Sequence, residues 1–76
     1  MKADVTLDCT GTYCPVPIIK THVKIKEMTV GQILEIVADD EGIKEDLPAW
    51  CKSTGHELLG IEEERGEYKA YVKKIK

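Results

Sequence analysis

Two prolines separated by one residue, Pro15 and Pro17, constrain this chain more than any other feature. Proline lacks an N–H and has a fixed φ, so a helix accepts it in the first turn, where backbone donors have no intrahelical partner anyway. The apolar residues Val16, Ile19 and Val23 then recur at i, i+3 and i+7, flanked by Ile18 and Ile25, and the spacing predicts an amphipathic helix from Pro15 to about Met28. Val16 precedes Pro17 and is biased away from helical geometry, so an irregular first turn is expected. Upstream, Val5 and Leu7 alternate with polar neighbours as far as Asp8, which reads as a short strand followed by the loop Cys9-Thr10-Gly11-Thr12-Tyr13.

The same reasoning carries through the remainder. Gly31 opens the β-branched run Gln32 to Ala38, a second strand and the most buried one expected, closed by the turn-forming Asp39-Asp40-Glu41-Gly42. Ile43, Leu47, Trp50 and Cys51 fall at i, i+4, i+7 and i+8, a second helix stopped by Gly55. Pro48 lies within that stripe, so the helix either begins near Asp46 as N-cap or is distorted at the proline. His56 to Glu63 and Tyr68 to Ile75 read as a hairpin joined by Glu64-Arg65-Gly66-Glu67. The order β-α-β-α-β-β predicts an α+β fold, a two-layer α/β sandwich with both helices on one face of a four-stranded mixed sheet.

At 76 residues this is one compact domain spanning 1–76, with no room for a deep pocket. The apolar runs are far shorter than the ~18 residues that span a bilayer, and no signal-peptide core opens the chain, so no membrane association and a cytoplasmic location are expected. The net charge is −3, with lysines interspersed among glutamates, which gives direct nucleic-acid binding no basis. The lysine-rich end Lys73-Lys74-Ile75-Lys76 reads as a solvated strand end, and so does Glu62-Glu63-Glu64. Three cysteines in a reducing compartment leave at least one thiol free.

Cys14 is the thiol that the pattern singles out. With Pro15 as first helical residue, Cys14 occupies the N-cap, where Ser or Asp normally accepts a bond from a helical N–H. Pro17 removes one donor, which leaves the Val16 N–H and the positive end of the helix dipole to favour thiolate. Sulfur exchange is fastest when the attacking thiol's pKa lies near ambient pH, so moderate stabilisation suits a group that takes up and releases sulfur. The competing reading makes Cys14 a small buried hydrophobe.

Asp8, Gly11, Cys14, Pro15 and Pro17 match a D-x-x-G-x-x-C-P-x-P signature, and the chain resembles the TusA/SirA-like sulfur-carrier family. Gly31-Gln32, Asp39-Asp40, Asp46-Leu47-Pro48, Trp50-Cys51 and Gly55-His56-Glu57-Leu58 resemble its later landmarks in order. The resemblance implies a βαβαββ sandwich in which Cys14 bears a persulfide, supported by Asp8, Gly11, Pro15, Val16 and Pro17. It further implies a monomeric relay between a cysteine desulfurase, or another persulfide donor, and a downstream acceptor protein, with neither cofactor nor metal.

Other assignments compete at particular residues. Cys9, five positions before Cys14, is a possible resolving thiol for a thiol-disulfide switch, or else a spare small residue. Cys9, Cys14, Cys51 and His56 supply soft ligands for a small zinc-binding domain, although their spacings are loose. Cys51 reads as core; His22 and His56 read as structural, His56 donating a hydrogen bond at the sheet edge. Asp39 and Asp40 read as turn residues, and a purely non-catalytic interaction module remains an alternative.

Overall fold

The computed structural model describes residues 2–13 and 16–76 of the chain. Its elements are β1 (Val5–Asp8), α1 (Val16–Lys26), β2 (Ile33–Ala38), α2 (Ile43–Thr54), β3 (Glu57–Glu64) and β4 (Glu67–Lys73), the expected βαβαββ order. The strands form one mixed sheet in the order β1-β2-β4-β3. β1 runs parallel to β2, a pairing that requires a crossover connection, which α1 supplies; the other pairs are antiparallel.

The core lies between the helices and one sheet face. Leu34, Ile36 and Ala38 of β2 stand in register with Val72, Ala70 and Tyr68 of β4, and all six are buried. Ile25 and Met28 from the α1 region and Ile43, Leu47 and Cys51 from α2 close over them. No residue of β2 is exposed, as expected for a central strand.

The face α1 buries is not the stripe that periodicity picked out. Pro17, Thr21 and Ile25 are buried, whereas Val16, Ile19 and Val23 are 38, 56 and 56 % exposed. At 100° per residue the two sets lie on nearly opposite sides of the helix. Thr21 explains the difference: its hydroxyl donates to the Pro17 carbonyl at 2.7 Å, so a residue counted as polar is satisfied locally and sits in the core without cost. The helix is therefore apolar on two sides, one packed and one open.

The second helix begins at Ile43, earlier than Asp46, with Gly42 in the cap position and no side-chain cap bond. Pro48 thus lies inside the helix. The N–H groups of Ile43, Lys44 and Glu45 donate to carbonyls three residues back, a tight first turn that precedes the proline. Gly55 ends the helix at φ 86°, its N–H donating to the Cys51 carbonyl at 2.8 Å.

The hairpin turn is the two-residue Arg65-Gly66, both with positive φ, the conformation whose twist matches the flanking strands. A register shift between Leu58 and Gly60 leaves Leu59 as an extra residue, which lets both Leu58 and Ile61 pack toward the core. On the opposite sheet face Tyr71 is buried and its hydroxyl donates to Glu35 at 2.8 Å. The C-terminal lysines are not simply a solvated end. Lys74 exchanges backbone bonds with Gly31 and Gln32, and its ammonium donates to the Met28 carbonyl just beyond α1, where a cation complements the helix dipole.

Candidate functional site

β1 delivers the chain to a loop at the end of the sheet, and α1 takes it away. Cys14 and Pro15, which sequence placed at the head of the helix, lie outside the described residues. The residues on either side are held at several points. Asp8 accepts from both the N–H and the hydroxyl of Thr10, at 2.9 and 2.6 Å, an Asx-type turn that bends the chain off the strand. Those two bonds, the hydroxyl's first, hold the Asp8 carboxyl below its ordinary pKa. Gly11 follows at φ 79°, which a side chain would strain. The Thr12 hydroxyl donates to the Cys9 carbonyl at 2.6 Å, and the Val16 N–H donates to the Tyr13 carbonyl at 2.8 Å. Asp8, Gly11 and Pro17, the described members of the cysteine-proline motif besides Val16, therefore each have a structural task.

The last of those bonds corrects one expectation. The Val16 N–H, expected as the donor to the Cys14 sulfur, donates to the Tyr13 carbonyl. What the start of α1 retains for that purpose is its positive dipole end. Lysine is the only formally charged residue type in the helix, at Lys20, Lys24 and Lys26.

Asp39 belongs to this site, although in sequence it read only as a turn residue and as part of a family landmark. It follows β2, and its carboxylate accepts from the Gly11 N–H, 3.1 and 3.2 Å from its two oxygens. This bond joins two loops 28 positions apart at the same end of the sheet, where the parallel β1–β2 pairing sets Asp8 against Val37. The β1–β2 register is what brings it within reach; a reading that assigned each loop separately had no reason to join them.

The other two thiols are enclosed. Cys9 is fully buried in the core, its N–H donating to Val37, and burial, countered in part by Lys20, pushes its thiol pKa up. A resolving role would require it to leave that position. Cys51 is buried on the packed face of α2, as expected, and its thiol is pushed up to about 11 by burial. Both zinc candidates among these cysteines therefore face the apolar layer, and no three His, Cys, Asp or Glu side chains among the described residues are grouped to hold a metal ion.

The histidines flank Trp50: His56 stacks on it at 5.6 Å between centroids, and His22 meets it edge-on at 6.3 Å. His56 Nδ1 accepts the Ile75 N–H at 3.2 Å, the reverse of the expected donation. Burial first, then Lys74, Lys76 and His22, lowers its pKa, so the neutral acceptor form is favoured. Asp40, read as a turn residue, accepts from the Gly42 N–H at 3.2 Å. Glu62, Glu63 and Glu64 are exposed, with Lys44 3.6 Å from Glu63.

Comparison with known proteins bears on this arrangement. The family model described as sulfurtransferase TusA matches residues 5–74. The chain is 41% identical over 71 residues to the sulfur carrier protein TusA of Pseudomonas entomophila (strain L48), covering 93% of this chain and 89% of that one. It is 47% identical over 74 residues to YrkF of Bacillus subtilis (strain 168), covering 97% of this chain but only 40% of that longer protein. The crystal structure of a SirA-like protein from Desulfitobacterium hafniense superposes with a TM-score of 0.81 at 19% identity, over 95% of this chain and 99% of that one, which establishes the shared fold. No helix among the described residues is long and apolar enough to cross a membrane.

Proposed function

The chain belongs to the sulfurtransferase TusA family of sulfur carriers, and from that premise we propose that Cys14 carries sulfane sulfur as a persulfide and relays it from a donor protein to an acceptor protein. The observation that carries this reading is the state of the other thiols. Cys9 and Cys51 are shut in the core with raised pKa values, so sulfur chemistry at neutral pH falls to Cys14. The loop on its N-terminal side is braced by bonds to Asp8 and Asp39, and the helix on its other side carries Lys20, Lys24 and Lys26.

In the proposed step the Cys14 thiolate attacks the terminal sulfur of a donor persulfide. The donor's S–S bond breaks and its cysteine leaves as thiolate, while a new S–S bond forms at Cys14 and the terminal sulfur keeps its proton. One sulfane sulfur changes carrier with no net oxidation, so neither cofactor nor metal is required. Discharge repeats the exchange with the acceptor as nucleophile. The proposed donor is a cysteine desulfurase; the proposed setting is cytoplasmic and the carrier monomeric. tRNA thiolation, molybdoenzyme maturation and sulfur oxidation are the destinations to be distinguished, and any delivery to RNA passes through an acceptor protein.

The test is to incubate the protein with a cysteine desulfurase and cysteine and weigh it. A gain of about 32 Da that disappears in Cys14→Ser and persists in Cys9→Ser and Cys51→Ser is the expected result. Labelling that survives Cys14→Ser overturns the assignment.

A further inference from the structure

Side chains of β1 alternate between the two sheet faces, so Val5 and Leu7 pack toward the helices, and Cys9, two positions on, continues inward to full burial. Its backbone is secured at several points. The Cys9 N–H donates to the Val37 carbonyl at 2.6 Å, and the Cys9 carbonyl accepts the Thr12 hydroxyl at 2.6 Å and the Thr12 N–H at 3.3 Å. Between them the Gly11 N–H ties the loop to the Asp39 carboxylate. Resting on the carrier reading above, we propose that these bonds form a latch that keeps Cys9 away from a charged Cys14. Opening the latch gives the protein a second activity, discharge of its persulfide as hydrosulfide.

Four residues separate the two cysteines, and the Thr12 bonds to Cys9 already turn the chain back on itself between them. A segment of that length reversed by a turn can close to the roughly 4.4–6.8 Å between Cα atoms that a disulfide spans. α1 covers the same layer: Pro17 in its first turn is buried, and Lys20 lies near enough to Cys9 to counter part of the rise in thiol pKa that burial causes. Cys9 is therefore close to the start of the helix that Cys14 precedes in sequence.

What the latch withholds is a nucleophile. Enclosed, the Cys9 thiol stays protonated; freed into water it returns toward the ordinary thiol pKa of about 8.5, where a few per cent is thiolate at neutral pH. That thiolate attacks the inner sulfur of the Cys14 persulfide. A Cys9–Cys14 disulfide forms, the bond to the terminal sulfur breaks, and this sulfur leaves with the bonding pair as hydrosulfide, keeping its proton. Cys9 is oxidised and the terminal sulfur reduced, so no external oxidant enters. Shut, the latch reserves the sulfur for an acceptor protein; open, it spills the sulfur.

The experiment compares wild type, Asp39→Ala, Thr12→Val and Cys9→Ser, together with Cys9→Ser combined with each of the first two changes. Each protein is charged with inorganic polysulfide, desalted without added thiol, and followed by intact mass and by released hydrosulfide, with circular dichroism as the check on folding. Discharge is timed from the charged state, so a variant's charging rate does not enter. Wild type should keep the added ~32 Da. Opening is a local unfolding of the end of β1, so Asp39→Ala and Thr12→Val should lose that mass about three- to tenfold faster. Their product should be a disulfide about 2 Da lighter than the reduced protein, with hydrosulfide released in equal amount and at a rate independent of protein concentration. With Cys9→Ser added, both should hold their persulfide as long as Cys9→Ser alone.

Equal persistence of the persulfide in wild type, Asp39→Ala and Thr12→Val overturns the latch. Release that survives Cys9→Ser overturns the role of Cys9, and so does a rate that rises with protein concentration, which assigns the attack to a thiol of another chain. Should Asp39→Ala not fold, Thr12→Val decides by the same criteria. A wild type that gains no mass at Cys14 from polysulfide or from a desulfurase with cysteine overturns the carrier reading itself.

Discussion

Removing the Asp39 carboxylate tests whether the loop before Cys14 is held from a distance. The Gly11 N–H has one proton, so its approaches of 3.1 and 3.2 Å to the two carboxylate oxygens count as a single shared bond. A hydrogen bond to a charged group contributes about 1.5–3 kcal/mol when enclosed, and water competes at this exposed position, which leaves about 0.5–1.5 kcal/mol. Asp39→Ala should therefore lower Tm by several degrees, since about 1 kcal/mol moves a domain of this size by roughly 4–8 °C. If charging of Cys14 needs the braced loop, the same energy sets a ceiling of about tenfold on the fall in rate at saturating donor. Asp39→Asn retains a side-chain carbonyl that can accept the same bond, so it should recover most of both effects. Thermal unfolding followed by circular dichroism, together with timed mass measurement of persulfide formation, reads the two quantities. Wild-type values of both in Asp39→Ala refute the brace, and Asn as defective as Ala shows that charge, not the bond, is what matters.

Native protein treated with iodoacetamide near pH 8 should be alkylated at Cys14 alone, because a thiol pushed up to about 11 is roughly one part in a thousand thiolate there and Cys9 shares its burial; peptide mapping checks this. His56 has a folded pKa below its unfolded value, so its contribution to stability is complete above about 6.5 and is lost as pH falls toward the folded pKa. The Tm of wild type should accordingly drop more steeply than that of His56→Phe between pH 7.5 and 5, and parallel curves would contradict the linkage. Arg65 takes φ 51° beside Gly66, a conformation that favours asparagine, so Arg65→Asn should raise stability by about 0.5–1 kcal/mol in urea titration. Ile36→Ala removes a fully buried side chain from the central strand and should cost about 2–4 kcal/mol, a large share of the roughly 4–11 kcal/mol available to such a domain, read from the same titration.

The parts of this fold that the sequence made legible were those with one dominant local cause. β1 and β2 followed from alternation and β-branching, the end of α2 from Gly55, and the hairpin from Gly66, because each rests on backbone preference. What depended on distant contacts did not show. The tie between Asp39 and Gly11 exists only because β1 and β2 pair in parallel register. Lys74 reaches the Met28 carbonyl only because β4 runs beside the turn after α1. The early start of α2 turned on a tight first turn that precedes Pro48, where the proline in sequence left open either a beginning near Asp46 or a distorted helix.

The error on α1 teaches something different. Helical periodicity reports that apolar residues share a side, and it does not report which side faces the core. In most helices that distinction is empty, since one apolar stripe exists and it is the buried one. Here two exist, and the more regular of them, Val16, Ile19 and Val23, is the open one, while the buried one contains a threonine whose hydroxyl is satisfied by Pro17. Replacing Thr21 by valine separates the two faces experimentally. It deletes the Thr21-to-Pro17 bond but leaves an apolar residue of similar volume in the core, so Tm should change by only a few degrees in either direction. Val16, Ile19 and Val23 should stay on the solvent side, and a far larger fall in Tm would mean that the hydroxyl bond, rather than the packing of an apolar side chain, holds the buried side.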